Sequence, residues 1–465
     1  MKRKSTKVAC LALSSAMGLT LLAGCGGSPS SATSSSTASS TSTTTATSED
    51  TAEAAPLEGE ITFWHSFTQG ARMEAVQSAA DKFMAANPGV KINIETYSWG
   101  DFNTKWNAGL TTGDLPDMST AQGTGEVVEM LNAGVLQPVD DMVDSIGRDR
   151  FSANALSDMS MDGATYAVPY YSHAQVMWYR QDMLDAVGLS APNTWDEFYD
   201  DAVALTKDGT FGAAFSCSPN DLLSTRYLNF YVQSAGASLL NDDLTANITS
   251  KEAIEGINFW LKVYKDCSPA ETINYTVNDH ATLFYQGTTA FDFNSGFMIS
   301  GVQANSPDAV QYVKCAPLPR MKADDAVYSA ETSHIPLVVW KDSKNPEICK
   351  AFIEYLYQDD NYIEFIHSVP VGMLPALSDI SNNPAYLDDA TIKQFTDSVA
   401  IIQEAVDNGH AIGFEHGPSA QASYLTSQGI IESMFQDIIT NGTDVETAAK
   451  AAEDKLNEVF DTMIA

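Results

Sequence analysis

The chain has 465 residues, 44% hydrophobic and 10% aromatic, a globular composition long enough for more than one hydrophobic core. Its formal net charge is −35, and so acidic a surface disfavours nucleic acid and unassisted contact with anionic lipid head groups. Six cysteines without a Cys-x-x-Cys pair do not resemble a zinc site.

At the start of the chain, Lys2, Arg3, Lys4 and Lys7 form a positive segment, and residues 8–22 are an apolar run with small residues interspersed. That run is too short, and too quickly followed by polar sequence, for a membrane-spanning helix. It ends in Leu22-Ala23-Gly24-Cys25, which resembles a bacterial lipobox. Such a signal is cut before the cysteine, whose thiol then receives a lipid. Residues 1–24 are therefore expected to be a signal peptide and Cys25 the lipidated residue; losing four positive charges leaves −39. Between Ser28 and Ser48, 17 of 21 residues are Ser or Thr, so residues 25–57 read as a lipidated cysteine and a disordered tether. Such a tether reaches on the order of 30 Å by random-coil scaling. No later stretch of 18 apolar residues occurs, so the lipid is the membrane attachment expected.

Residues 60–64 (EITFW) read as a buried first strand. A helix from Gly70 follows, with Ala71, Ala75, Val76, Ala79, Ala80, Phe83 and Met84 on one face; Asn87-Pro88-Gly89 stops it. Residues 90–95 alternate as a strand, completing the strand–helix–strand unit of a parallel sheet. Residues 101–111 predict a helix with Phe102, Trp106 and Leu110 on a core stripe, and 118–120 a short strand. Gln122-Gly123-Thr124-Gly125 then forms a loop before a helix over 126–132, in the place where open α/β sheets bind ligands. Residues 165–182 (TYAVPYYSHAQVMWYRQD) hold two ordered runs, 166–169 and 176–179, with polar and aromatic side chains concentrated between them. That stretch is expected to cross from one lobe to another.

Thr194 with Glu197, Thr249 with Glu252, and Thr443 with Glu446 have capping-box spacing at three helix starts. Residues 211–215, 288–293, 313–318 and 334–340 read as strands or extended pieces, and 279–286 as a short helix stopped by Gly287. From Pro346 the pattern is helical over 346–365, 385–408, 418–440 and 445–464, interrupted by a proline-bounded extended piece at 369–375. Cys10 leaves with the signal. Cys217, Cys267, Cys315 and Cys349 read as isolated buried thiols, with room for one disulfide outside the cytoplasm.

Taken in order, the lipobox, the Ser/Thr tether, ITFWHSF, ANPGVKI, GDLPD, YAVPYYS, NTWDEF, YQGTTAF, APLPR and VPVGMLP resemble the extracellular solute-binding lipoproteins of ABC importers. The likeness is to their carbohydrate-type group, which includes maltose-binding and glycerophosphate-binding proteins. It implies a two-lobed α/β fold of the periplasmic-binding-protein type II, with a ligand cleft between lobes joined by crossing hinge segments. The N-terminal lobe would comprise 58–171 and 332–371, and the C-terminal lobe 172–330 and 373–465. The crossings would fall near 171–174, 328–331 and 371–373. The function implied is capture of a sugar or oligosaccharide by cleft closure and delivery to the permease's transmembrane subunits. The protein would be a monomer, lipid-anchored outside the bacterial cell membrane, without catalysis, metal or cofactor.

Sugar recognition needs aromatic faces and convergent hydrogen-bonding groups. The resemblance points to Trp64, His65, Ser66 and Gln122 in the first lobe, and to Tyr170, Tyr171, His173 and Glu331 at the crossings. In the second lobe it points to Asn294, Ser295, Gly296, Phe297, Phe414, Glu415 and Tyr424, with Gly296 allowing close backbone approach to a ligand. His173 stands where the maltose-binding relative has a ligand-contacting carboxylate, and Phe297 where it has a stacking tryptophan. Two rivals remain open. A glycerol-3-phosphate receptor would need an arginine at the cleft, for which Arg72 and Arg180 are the nearest candidates. A secreted glycoside hydrolase would need two carboxylates across a cleft, whereas the adjacent acidic pairs here read as solvated surface.

Overall fold

The computed structural model describes residues 56–68, 70–219, 221–326 and 329–464. The signal peptide, Cys25 and nearly all of the tether, as well as Tyr328 of the second expected crossing, lie outside the described residues. Among the described residues, eleven strands run in chain order: β1 (Gly59–His65), β2 (Val90–Thr96), β3 (Met118–Thr120), β4 (Ser160–Met161), β5 (Ala164–Thr165), β6 (Val168–Ala174), β7 (Val176–Arg180), β8 (Phe291–Asn294), β9 (Val313–Ala316), β10 (Thr332–Val339) and β11 (Leu374–Pro375). They form a six-stranded sheet in the order β11-β6-β10-β3-β1-β2, a three-stranded sheet β8-β7-β9, and the small hairpin β4-β5. β1 is parallel to both β2 and β3, as the strand–helix–strand reading requires, whereas β10 runs antiparallel to β3 and β6. The hairpin turns on Asp162 and Gly163, both at positive φ, the signature of a tight Asp-Gly turn.

The chain changes sheet at one residue. β6 belongs to the large sheet and β7 to the small one, and only Gln175 separates them. Its backbone N–H donates to the carbonyl of Glu331 (2.9 Å), tying this crossing to the chain entering β10. Two lobes follow from the two sheets. One face of the large sheet packs Ile61, Phe63, Val168 and Leu337 against the helix Gly70–Ala86 and the helix Pro346–Leu356. A separate cluster holds Trp64, Trp106 and Trp340. The small sheet is packed against Trp195, Tyr227 and Trp260 in one cluster, and against Phe284, Ile402 and Val406 in another.

β6 and β10 pair across two prolines. Pro336 stands opposite Pro169, and the register slips between Ile335 and Pro336. Neither proline donates to the ladder, which confines this pattern to bulges and edges. Side chains complete the hydrogen bonding: Tyr357 Oη donates to the carbonyl of Pro169 and Tyr362 Oη to that of Tyr170, both at 2.6 Å. Tyr362 Oη also accepts from the N–H of Ala376, next to β11.

Several boundaries differ from the sequence reading. Residues 211–215 make no ladder; Phe211 alone pairs, with Thr289. The capping box at Thr194–Glu197 is present, but the helix Lys251–Cys267 is capped by Ser250, and Thr249 instead donates to Glu453. The helix Val445–Ile464 is preceded by Asp444, whose carboxylate accepts from Thr447 N (3.2 Å), so the cap lies one residue beyond Thr443. The expected long helices break where one residue leaves helical geometry. Gln358 is extended between Pro346–Leu356 and Asp359–Ile366, and Gly429 at φ 61 separates Ala420–Ser427 from Ile430–Asn441. Asp389, also extended, begins Ala390–Gln394, so 385–408 is three helices rather than one. Residues 369–373 turn, with Val371 at φ 67, and only Leu374–Pro375 is strand. Leu110, placed on the core stripe, is 38% exposed because the helix Trp99–Thr112 buries only its middle. The four cysteines are free and buried. No helix among the described residues is long and apolar enough to cross a membrane.

Candidate functional site

Between the two lobes lies a cavity of about 430 Å³ walled by both sheets' surroundings and by the crossing strands. From the first lobe come Trp99, at the first position of its helix, and the segment Gln122–Glu126 following β3. Gly123, at φ 148, caps the helix Thr124–Asn132 without a side-chain hydrogen bond. A side chain here would be strained by that φ and would crowd Ser333 Oγ, which a Cβ would meet at 3.2 Å. The crossing strands contribute His173 from β6 and Glu331, Thr332 and Ser333 from the start of β10. The second lobe contributes Arg226 on the helix Leu223–Ser234, the loop Ala411–Phe414, and Ser423 on Ala420–Ser427.

Two buried groups on these walls have no hydrogen-bond partner: Thr124 Oγ1 and His173 Nδ1. Native proteins rarely leave such groups unsatisfied, so both are available to a ligand. Burial and the nearby Arg226 push the His173 imidazole down to about 3, so it is neutral and can donate or accept. Trp99 is 45% exposed, far more than any other tryptophan of a described wall or core, and offers a ring face for stacking.

The cavity's charges are mutually engaged. Arg226 Nε donates to both oxygens of Glu331, at 2.8 and 3.1 Å, with both side chains largely buried. Burial raises the Glu331 carboxyl above the ordinary glutamate value, and Arg226 opposes that shift. Glu126 accepts from Trp106 Nε1 (2.8 Å) and from the N–H of Gln122 (2.6 Å). Glu129 accepts from Ser423 Oγ at 2.6 Å, a hydrogen bond that spans the cleft from one lobe to the other. One arginine therefore stands against three glutamates on the cavity wall.

Of the candidates from the sequence, the structure brings Gln122, His173, Glu331 and Phe414 together at this cavity. The amide of Gln122 donates to the carbonyl of Trp99 and so steadies that residue. The others lie elsewhere. Trp64 is 2% exposed in the core, edge-on to Tyr97 and under the Lys105 ammonium. His65 and Ser66 are buried, and the His65 ring stacks on Phe67. Tyr170 stacks on Phe365 with centroids 4.1 Å apart, and Tyr171 accepts from Arg72 (3.1 Å). Asn294 donates to Asp292 and accepts from the N–H of Ser295, closing both residues on their own loop. A Cβ on Gly296 would overlap the carbonyl of Val371, so the close approach is to the third crossing and not to the cavity. Phe297 packs between two hydrophobic clusters, and Tyr424 against the second lobe's core. Glu415 lines a separate cavity of about 270 Å³, bonded to Gln233 and Ser238.

Sequence reasoning missed Trp99, Thr124, Glu129, Arg226 and Ser423. Trp99 stands before the helix start expected at 101, whereas the helix begins at Trp99 itself, so no local pattern marks it. Arg226 meets Glu331 across 105 residues of sequence, and no local signal marks that pairing. Arg72 and Arg180, the arginines singled out from the sequence, are committed to Tyr171 and to Asp182.

Comparison with known proteins adds a family. The family described as bacterial extracellular solute-binding protein matches residues 66–363. A maltotriose-binding protein of Pyrococcus abyssi is 24% identical over 433 residues, 87% of this chain and 83% of its own length. Among solved structures, a solute-binding protein of an ABC transporter from Thermotoga lettingae bound to α-D-tagatose superposes with a TM-score of 0.73 at 22% identity. The match covers 86% of this chain and 99% of that one. A second, from Agrobacterium radiobacter with ribitol, gives 0.74 at 20% identity, covering 87% and 100%.

Proposed function

Because the chain belongs to the bacterial extracellular solute-binding proteins, a family of non-catalytic binders, we propose that it captures a neutral sugar or short oligosaccharide for an ABC importer. The observation that carries this reading is the interlobe cavity itself. It combines an exposed tryptophan face with two buried polar groups that lack partners. A cavity of about 430 Å³ falls in the usual range for small-molecule sites. Ligand touching both lobes would favour the closed form, which the Ser423–Glu129 hydrogen bond also favours. A relative named for maltotriose and similar structures holding tagatose and ribitol support a polyhydroxylated ligand.

The charge balance supports a neutral ligand over a glycerophosphate. Arg226 is already neutralised by Glu331, and Glu126 and Glu129 would repel a phosphate. Catalysis by a carboxylate pair is likewise unsupported, since each glutamate of the wall is held by another group. The lobes are proposed to follow the bounds expected from the sequence, 58–171 with 332–371 and 172–330 with 373–465, except that β6 to Ala174 and β11 with the segment to Ile392 go with the large sheet, in which they pair and on whose core they pack. The remaining parts of the reading are lipidation at Cys25, delivery to a permease and a monomeric state.

A thermal-shift panel of mono- and oligosaccharides, glycerol-3-phosphate and amino acids tests the reading. A sugar at 100 times its dissociation constant adds about 2.7 kcal/mol of stability. A gain with glycerol-3-phosphate and with no sugar, or release of sugar products on incubation, overturns it.

A further inference from the structure

A second cavity, of about 450 Å³, shares no lining residue with the interlobe one. Its walls come from both lobes. Ser152, Ser378 and Tyr386 stand in segments packed on the large-sheet core, where Phe151 pairs with Leu377. Gln403 and Val406 stand on the helix Thr396–Asn408, whose Ile402, Ala405 and Val406 pack with Ala174, Val176 and Trp178 of the crossing and the small sheet. Pro375 of β11 closes one side.

Two of these walls carry buried hydroxyls with no hydrogen-bond partner, Tyr386 Oη and Ser152 Oγ. The Tyr386 side chain is 1% exposed, and it is held in place. Its ring stacks on His367 with centroids 5.7 Å apart, and its carbonyl pairs with His367 Nε2 at 2.8 Å. Burial keeps the phenol protonated, so it is both a donor and an acceptor. The rest of the polar wall is amide and hydroxyl apart from Asp407, with apolar surface from Pro375 and Val406. Neutral donors and acceptors over an apolar patch suit a polyol, and the carboxylate of Asp407 disfavours an anion. The space is more than ten times the roughly 30 Å³ that one liquid water occupies.

We propose that this cavity is a second binding site, for a small neutral polyol or monosaccharide, and that its occupancy biases lobe closure. One helix links the two cavities. The carbonyl of Ala405 accepts from Thr332 Oγ1 (2.8 Å), and His410, just beyond the helix, pairs with Glu331. Thr332 and Glu331 both line the interlobe cavity. A ligand gripping Tyr386 and Ser152 on one side and Thr396–Asn408 on the other therefore favours one arrangement of the crossing, and the coupling is reciprocal. The inference does not depend on what the interlobe cavity carries.

Sorbitol is the probe. Titration calorimetry on the full chain gives saturable binding that Tyr386→Phe weakens about three- to tenfold, the worth of one hydrogen bond. Ala400→Trp, at an exposed position on the cavity wall, abolishes it, and Trp99→Ala leaves it unchanged. Small-angle scattering shows a sorbitol-dependent change in radius of gyration in the wild type and none in Ala400→Trp. Should Ala400→Trp fail to fold, Tyr386→Phe still decides, because it keeps the stacked ring. Absence of saturable binding, binding lost with Trp99→Ala, or Tyr386→Phe with Ser152→Ala titrating as wild type overturns the site. An unchanged radius of gyration overturns its coupling to closure.

Discussion

Trp99 and Arg226 are the residues on which the cavity's chemistry turns. Trp99 is the large aromatic that the first lobe leaves exposed at the cavity, steadied by Gln122. Its replacement by alanine is expected to weaken sugar binding about tenfold to a hundredfold, as loss of a central aromatic anchor does. Calorimetry at equal protein stability reads this directly, and an unchanged affinity removes Trp99 from the site. Arg226 has a different task. It compensates a buried carboxylate, and removing one partner of a buried ion pair costs about 3–5 kcal/mol. In Arg226→Met the Glu331 carboxyl is raised further above its unfolded value. That stability is present below the unfolded glutamate pKa and is lost as pH rises through the folded one. The deficit should therefore be largest near pH 8 and shrink toward pH 5, and Glu331→Gln added to Arg226→Met should restore most of it. Denaturant melts at the two pH values check the sign.

At the scale of elements, the crossing strands carry a defect that is repaired from outside the sheet. Pro169 and Pro336 face each other where β6 and β10 slip register, and Tyr357 and Tyr362 bond the freed carbonyls. Tyr362 serves two strands at once, since its hydroxyl also accepts from Ala376 beyond β11. Tyr362→Phe leaves the carbonyl of Tyr170 and the N–H of Ala376 buried without that partner. A loss of about 1–3 kcal/mol is expected, larger than the average for an exposed hydrogen bond. Native-state hydrogen exchange should show the loss concentrated at β6 and β11; a uniform loss over the large sheet would argue against this hinge role.

For the whole molecule, two lobes around one cavity imply a closure that scattering can measure. Saturating sugar should shrink the radius of gyration, and Ser423→Ala, which removes the hydrogen bond to Glu129 across the cleft, should weaken binding about threefold to tenfold through a faster off-rate. The four cysteines are spread through the hydrophobic cores, and burial pushes each thiol up to about 12. They should react with alkylating reagents only on unfolding, and a reductant should leave the melting temperature unchanged. A lower melting temperature in reductant would reveal a disulfide.

Much of the architecture was legible because its signals are local. Periodicity marked β1, the helix Gly70–Ala86 and β2, Thr194–Glu197 marked a helix start, and Pro169 beside Val168 marked the extended run that becomes β6. The pattern of residues 165–182 predicts a crossing, and β6 and β7 belong to different sheets with Gln175 between them. Of the side chains that face the cavity, the family resemblance picks out Gln122, His173, Glu331 and Phe414, and no local signal marks the others. Trp64, at the end of a strand, reads as a site candidate, whereas Trp99 stands before the expected helix and carries no signal, and packing buries the first and exposes the second. Local pattern says that a residue is apolar or helical, whereas the identity of its neighbour depends on pairings across a hundred residues or more, such as Arg226 with Glu331 and Glu129 with Ser423. The sequence by itself determined most strands, the first strand–helix–strand unit and several helix starts. Only the tertiary structure decided where the long helices break and which further side chains complete the site, because a cavity is made of the surfaces that packing leaves uncovered.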